Sequence, residues 1–334
     1  MSTVSRASSV ARETPLLGLS PLEIEEEIRL LRKERKAVIL AHYYQDEHIQ
    51  DLADFIGDSL ELSRKAAATD AEMIVFCGVR FMAEVAKILS PQKTVVLPDM
   101  KAGCSLEESC PPDKFRAFCA ARPDHVVISY INCSAEVKAL SDIIVTSSNA
   151  EAIINQLPAD QKIIFGPDKH LGAYLAAKTG RPLVLWPGAC IVHDRFSTEQ
   201  LVKLKTRHPG AVVIAHPECP ASLLAVADYV GSTSGLLRYV ATSPAPAFIV
   251  ATEEGMLHQL RKAAPGKEFF VAPGSDGSCH CATCPYMKLN TTEKLYLALR
   301  DVQPEIVMDE GLRLAALKPL QRMLEMSPRA GGSL

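Results

Sequence analysis

Residues 37–59 read AVILAHYYQDEHIQDLADFIGDS. A continuous apolar run ends at His42, a stretch of helical character follows, and a second short run ends at Ser59. The same plan returns twice. HVVISYIN (125–132) leads to SDIIVTSS (141–148), and AVVIAHPE (211–218) leads to ADYVGST (227–233). Laid over one another, His42, Tyr130 and His216 are separated by 88 and 86 residues, and Ser59, Ser147 and Thr233 by the same 88 and 86. Two anchors that keep one register mark a threefold internal repeat. A cysteine closes each repeat: Cys104, Cys190 and Cys284, with spacings of 86 and 94. Such a repeat gathers three thiols around one axis, where they would build a metal site.

The strands set the fold class. MIVFCG, TVVLPD, VVIS, KIIFG, LVLW, AFIVA and FFVAPG are apolar throughout rather than alternating, and helical stretches separate them. Strands apolar on both faces belong to parallel sheets covered by helices. The expected fold is therefore α/β: three repeated α/β/α sandwich domains with small parallel sheets, in a pseudo-threefold arrangement around a central cluster site. Expected units are 21–120 with Cys104, 121–205 with Cys190, and 206–334 with Cys284 and the C-terminal helices. Ser20-Pro21-Leu22-Glu23 reads as a helix start, with Ser capping, Pro in the first turn and acid near the positive end of the dipole. Residues 1–20 are Ser-rich and read as a disordered extension, with a transit peptide as the other reading.

The totals agree. A chain of 334 residues exceeds one core and suits two or three domains. With 48% apolar residues there is ample core, and a net charge of −3 gives no reason to expect nucleic acid or an anionic membrane as partner. No apolar run approaches the ~20 residues of a membrane span. Ten cysteines without a signal-peptide pattern point to a reducing compartment, the cytoplasm, and to metal binding or catalysis rather than disulfides.

On a strand, positions two apart share a face. His42 with Tyr44, Tyr130 with Asn132, and His216 with Glu218 are thus expected to project into a cavity beyond the carboxyl ends of the sheets. His and Glu suit proton transfer; Tyr and Asn suit holding carboxylates. Ser59, Ser147 and Thr233, where strand passes into helix, are expected to cap helix N-termini, which also attract carboxylate or phosphate. Zinc usually takes four ligands from paired motifs. Three separated thiolates suit a [4Fe–4S] cluster better, its open iron acting as a Lewis acid in loss of water. Cys110 and Cys219 stay open as fourth ligands, which an electron carrier would need. His193, three residues after Cys190, reads as a partner of that thiol, a substrate contact or a surface residue. Cys77, Cys110, Cys119, Cys133 and Cys219 read by default as buried small apolar residues. Cys279 and Cys281 form a candidate redox pair. An aconitase-like hydro-lyase and an iron–sulfur or zinc sensor are the other classes these features admit, and the absence of a basic face or helix-turn-helix pattern weighs against a DNA-binding sensor.

AHYYQ, ADFIGDSLELS, GVRFMAE, SYINCSAEVKA, TSSNA, GACIVH, AHPEC, GSTSG and CPYMKLN, in this order from about residue 30 to the C-terminus, together resemble the quinolinate synthase family of NAD biosynthesis. The resemblance implies a transferase of pyridine nucleotide biosynthesis that condenses iminosuccinate with dihydroxyacetone phosphate on a [4Fe–4S] cluster. It also implies transient contact with L-aspartate oxidase as the source of iminosuccinate. Carried over residue by residue, it makes Cys104, Cys190 and Cys284 the cluster ligands. It makes His42, Ser59, Tyr130, Ile131, Asn132, Ser147, His216, Pro217, Glu218, Ser232 and Thr233 substrate contacts. Tyr44 and His193 match family positions assigned to catalysis or substrate handling. The expected catalytic set is completed by Glu218 and His216, moving protons at the condensing carbons, and by Tyr130, orienting intermediates with Tyr44. One departure concerns the last cysteine motif: Ser278 stands where many members have Cys, which leaves a regulatory Cys279–Cys281 disulfide in doubt.

Overall fold

The computed structural model describes residues 18–275, 277 and 282–327. The described residues form three separate four-stranded sheets, and every pairing in them is parallel. The first holds β1 (Ala37–His42), β2 (Phe55–Gly57), β3 (Met73–Cys77) and β4 (Thr94–Val96). The second holds β5 (Val126–Tyr130), β6 (Ile143–Val145), β7 (Ile163–Gly166) and β8 (Leu183–Leu185). The third holds β9 (Val212–Ala215), β10 (Tyr229–Val230), β11 (Ala247–Ala251) and β12 (Glu268–Val271). In each, the first strand lies between the second and the third, and the fourth is at the edge. Burial explains the composition: β3 is buried at all five positions and β1 at five of six.

The registers coincide. Ala41 pairs with Ile56 and Cys77, Ser129 with Ile144 and Gly166, and Ala215 with Val230 and Ala251. His42, Tyr130 and His216 are therefore the same residue of the plan, one step past those pairs. A second threefold feature fixes this register. Asp54, Asp142 and Asp228 each precede the second strand, and their carboxylates accept the amides of Ile39, Val127 and Val213 at 2.9, 2.8 and 2.7 Å. Each aspartate also returns its own amide to the carbonyl of that same residue, at 2.8–2.9 Å. Such a reciprocal clip ties strand one to strand two at their starts.

The first helix, Pro21–Glu34, opens as its sequence predicts: Ser20 and Glu23 form a reciprocal capping box. The C-terminal helices turn away from the third sheet. Thr292–Asp301 packs on Pro21–Glu34 and β3, while Glu310–Met326 packs on the helix Ala135–Ala139 and β6. The last segment of chain thus braces the first two units. The largest apolar core runs continuously through those units, joining Phe76, Phe81, Ile128, Ile144 and Phe165 to Leu320 and Met323.

Candidate active site

The carboxyl ends of the first strands meet at a partly enclosed cavity. His42, Tyr130 and His216 line it, as do Ser59, Ser147 and Thr233, and Cys104, Cys190 and Cys284. Tyr44, Asn132, His193 and Glu218 complete the set of expected residues on its wall. Ile131, Pro217 and Ser232 do not line it. Cys110 and Cys219, the candidate fourth ligands, also lie elsewhere: both are buried in apolar clusters, and the Cys219 thiol is directed to the Ala251 carbonyl at 3.4 Å. Cys279 and Cys281 lie outside the described residues.

The hydroxyl trio requires a correction. Ser59 and Thr233 are the first helical residues, not the caps; the caps are Asp58 and Ser232, whose side chains accept the amides of Leu60 and Glu61, and of Gly235. In the second unit Asn149 precedes the helix without capping it, and its Oδ1 accepts the Thr146 amide at 2.6 Å instead. A residue one step into the helix keeps its hydroxyl free of the cap bond. Asp58 also holds the three units together at this point, its Oδ2 accepting the hydroxyls of Ser148 and, at 2.7 Å, Ser234.

The histidines share one local geometry. His42 Nδ1 accepts the Tyr44 amide at 3.2 Å, and His216 Nδ1 accepts the Glu218 amide at 3.4 Å. With Nδ1 an acceptor, each neutral ring carries its proton on Nε2. His216 Nε2 lies 3.2 Å from the Ser147 hydroxyl. Burial pushes His42 down to about 4 and His216 to about 3, against the opposing fields of Glu218 and Asp58, so both rings are neutral near pH 7.

Glu218 is the charged centre of the cavity. It is 3% exposed, and its Oε1 accepts the Tyr130 hydroxyl at 2.6 Å. Its Oε2 lies 3.1 Å from His193 Nδ1. Burial works against its charge, but the neighbouring imidazoles and the hydrogen bonds from His193 and Tyr130 outweigh it and keep the carboxyl below the usual range. The same burial, reinforced by Glu218, drives the Tyr44 and Tyr130 phenols well above theirs. His193, buried, is a hub: Nδ1 is also 3.3 Å from Cys190 Sγ, and Nε2 is 3.0 Å from Thr252 Oγ1, which in turn contacts the Tyr44 hydroxyl at 2.7 Å.

The cysteine loops are held identically. Two residues before each cysteine stands a carbonyl, of Ala102, Gly188 or Ala282. It accepts the amide of Arg80, Lys169 or Glu254, just past the third strand, at 2.7, 2.8 and 3.0 Å. The three thiols are unpaired. Burial raises all three, Cys284 to about 11. Donor atoms of Cys190, His193 and Glu218 lie within 4.8 Å of one another, a spacing that admits a metal ion.

Residues unforeseen from sequence also stand here: Asp58, Glu253 and Tyr286 on the wall, and Thr252 behind it. Carrying the repeat register on to the third strand would have exposed Thr252 and Glu253, since ATEEG occupies the place of GPDK.

Fold and cavity together are those of an α/β enzyme with a thiol-rich centre. The family model described as NadA, quinolinate synthetase A protein, matches residues 26–325. The quinolinate synthase of Nostoc sp. is 59% identical over 316 residues, covering 95% of this chain and 97% of that one. That of Thermosynechococcus vestitus is 59% identical over 321 residues, covering 96% and 99%, and that of Chloroherpeton thalassium 58% over 311, covering 93% and 97%. The chain belongs to the quinolinate synthetase A protein family.

Proposed function

We propose that this chain is a quinolinate synthase that joins iminosuccinate to dihydroxyacetone phosphate, giving quinolinate, two waters and phosphate. The sum is redox-neutral, so the site needs acids, bases and anion holders but no electron donor. The observation that carries this reading is the meeting of the Glu218 carboxylate, two neutral histidines and three hydroxyls with three thiols on one cavity.

A [4Fe–4S] cluster fits the cysteines. Three unpaired thiols, one from each unit, face a single space, and their burial means that each needs a bound cation to remain a thiolate. When bound, the cluster supplies an open iron as Lewis acid for dehydration. A single metal ion on Cys190, His193 and Glu218 is the second reading, favoured by their spacing. It leaves Cys104 and Cys284 without a role.

The remaining work falls to the chain's own residues. Glu218 Oε2 takes a proton from the condensing carbon, with His193 and Tyr130 holding it in place. His42 and His216 donate Nε2–H to the carboxylates of iminosuccinate, and Asn132, whose buried Oδ1 has no partner among the described residues, accepts its N–H. Ser59, Ser147 and Thr233 hold phosphate and carboxylate oxygens. Tyr44 orients intermediates. The units 21–120, 121–205 and 206–334 each bring one cysteine. We place the enzyme in the cytoplasm, in transient contact with an L-aspartate oxidase; no described helix is long and apolar enough to cross a membrane.

The test is anaerobic turnover of iminosuccinate with and without dihydroxyacetone phosphate. Quinolinate formed only with the triose is the expected result. Dehydration of another hydroxy acid with no quinolinate would move the function to a hydro-lyase.

A further inference from the structure

Val79, Asp168 and Glu253 occupy one position of the repeat, two residues past Cys77, Gly166 and Ala251, which pair with Ala41, Ser129 and Ala215. The residue after each clips its cysteine loop through the backbone, as described above. At the position itself the units differ: the first has an apolar side chain, the other two have carboxylates that are 0% exposed.

Glu253 is fully engaged. Its Oε1 accepts the Cys284 amide at 3.1 Å and its Oε2 accepts the Gly255 amide at 2.6 Å. Lys288 Nζ sits 3.2 Å from Oε1 and donates to the Tyr44 carbonyl at 3.0 Å. One carboxylate thus links the Cys284 loop to the segment that carries Tyr44. Glycine at 255 makes this possible: a Cβ there would lie 2.8 Å from the Tyr44 and Gln45 backbone and 2.9 Å from Glu253 Oε2.

Asp168 is used differently. Its Oδ1 caps the following helix, accepting the Leu171 amide at 2.7 Å. Its Oδ2 is buried without a hydrogen-bond partner among the described residues. The loop is pressed close here too, since a Cβ on Gly188 would lie 2.5 Å from the Pro167 carbonyl.

We propose that Glu253 is a positioning residue for the Cys284 thiol, setting that cysteine loop at the spacing a three-thiol centre requires, while the Cys104 and Cys190 loops rely on the backbone clip. This rests on the reading that the three cysteines hold one cluster. Carboxylates behind metal ligands act in this way, and losing one typically costs about 10- to 100-fold in metal retention.

Two readouts test it, on Glu253→Ala and the milder Glu253→Gln. In metal-free protein, hydrogen–deuterium exchange is followed in peptides covering Cys104, Cys190 and Cys284. In anaerobically loaded protein, the rate of iron release to a chelator is followed spectrophotometrically. The expected result is faster exchange around Cys284 in both variants, with the Cys104 and Cys190 peptides unchanged as controls for folding. Iron release should rise about 10- to 100-fold in Glu253→Ala and less in Glu253→Gln. Unchanged exchange overturns the proposal, and so does raised exchange with iron released at the wild-type rate. A wild-type protein that takes up no iron and sulfide instead overturns the reading of the centre on which the proposal rests.

Discussion

His42 and His216 sit a strand end apart in different units yet solve the same problem. Each spends Nδ1 on the amide two residues on and leaves Nε2–H for the cavity. Neutrality is what burial imposes, and it has a pH signature. His42 is held near 4 against 6.5 when unfolded, so between those values the unfolded chain binds more protons and stability rises with pH. The contribution is fully present above about pH 6.5 and is lost as pH falls towards 4, at most ~3 kcal/mol for this ring. His42→Asn should flatten the fall in urea midpoint of metal-free protein between pH 6.5 and 4; an unchanged slope would show that the ring is charged in the fold. Glu218 carries the opposite demand, ionised although buried. Glu218→Gln should lower kcat by ~10²–10⁴-fold, the range of a lost general base, with iron content unchanged. The polar types at these positions were legible in sequence because each ends an apolar run. Their partners were not, since Thr252 reaches Tyr44 and His193 only through the third sheet.

Among elements, the clips matter most. Asp142 is exposed, yet its carboxylate holds the Val127 amide at 2.8 Å. Removing it in Asp142→Ala should cost about 1 kcal/mol, read as a lower urea midpoint. Gly188→Ala is more severe. The nearest obstacle that cannot rotate away is the Pro167 carbonyl, at 2.5 Å from the new Cβ. We expect a loss of about 1–3 kcal/mol and reduced iron uptake, because the displaced loop carries Cys190. Strands and their parallel pairing were readable from uninterrupted apolar runs. The helix caps were not placed to the residue: Asp58-Ser59 and Ser232-Thr233 each offer two good capping types in a row, and only backbone geometry decides between them. The aspartate clip was missed although ADF, SDI and ADY repeat in sequence, because a conserved register says nothing of which amide a carboxylate reaches.

At the scale of the molecule, three similar units surround one chemically uneven centre. Spacing in the sequence revealed the units, since both anchors kept the offsets 88 and 86. It did not reveal that the C-terminal helices cross back to brace the first two sheets, for their apolar faces fit any helix-covered surface. The unevenness is what a reaction needs: Tyr130 stands where the other units have histidine, and Val79 where they have carboxylates. On the proposed reading, Cys104, Cys190 and Cys284 serve one cluster. The most direct measurement is iron and acid-labile sulfide per chain in anaerobically reconstituted protein, for wild type and for Cys104→Ser, Cys190→Ser and Cys284→Ser. Close to four irons and four sulfides in the wild type, lost in each of the three variants, is the predicted result. A single metal ion without sulfide, bound equally well by Cys104→Ser and Cys284→Ser, would contradict it.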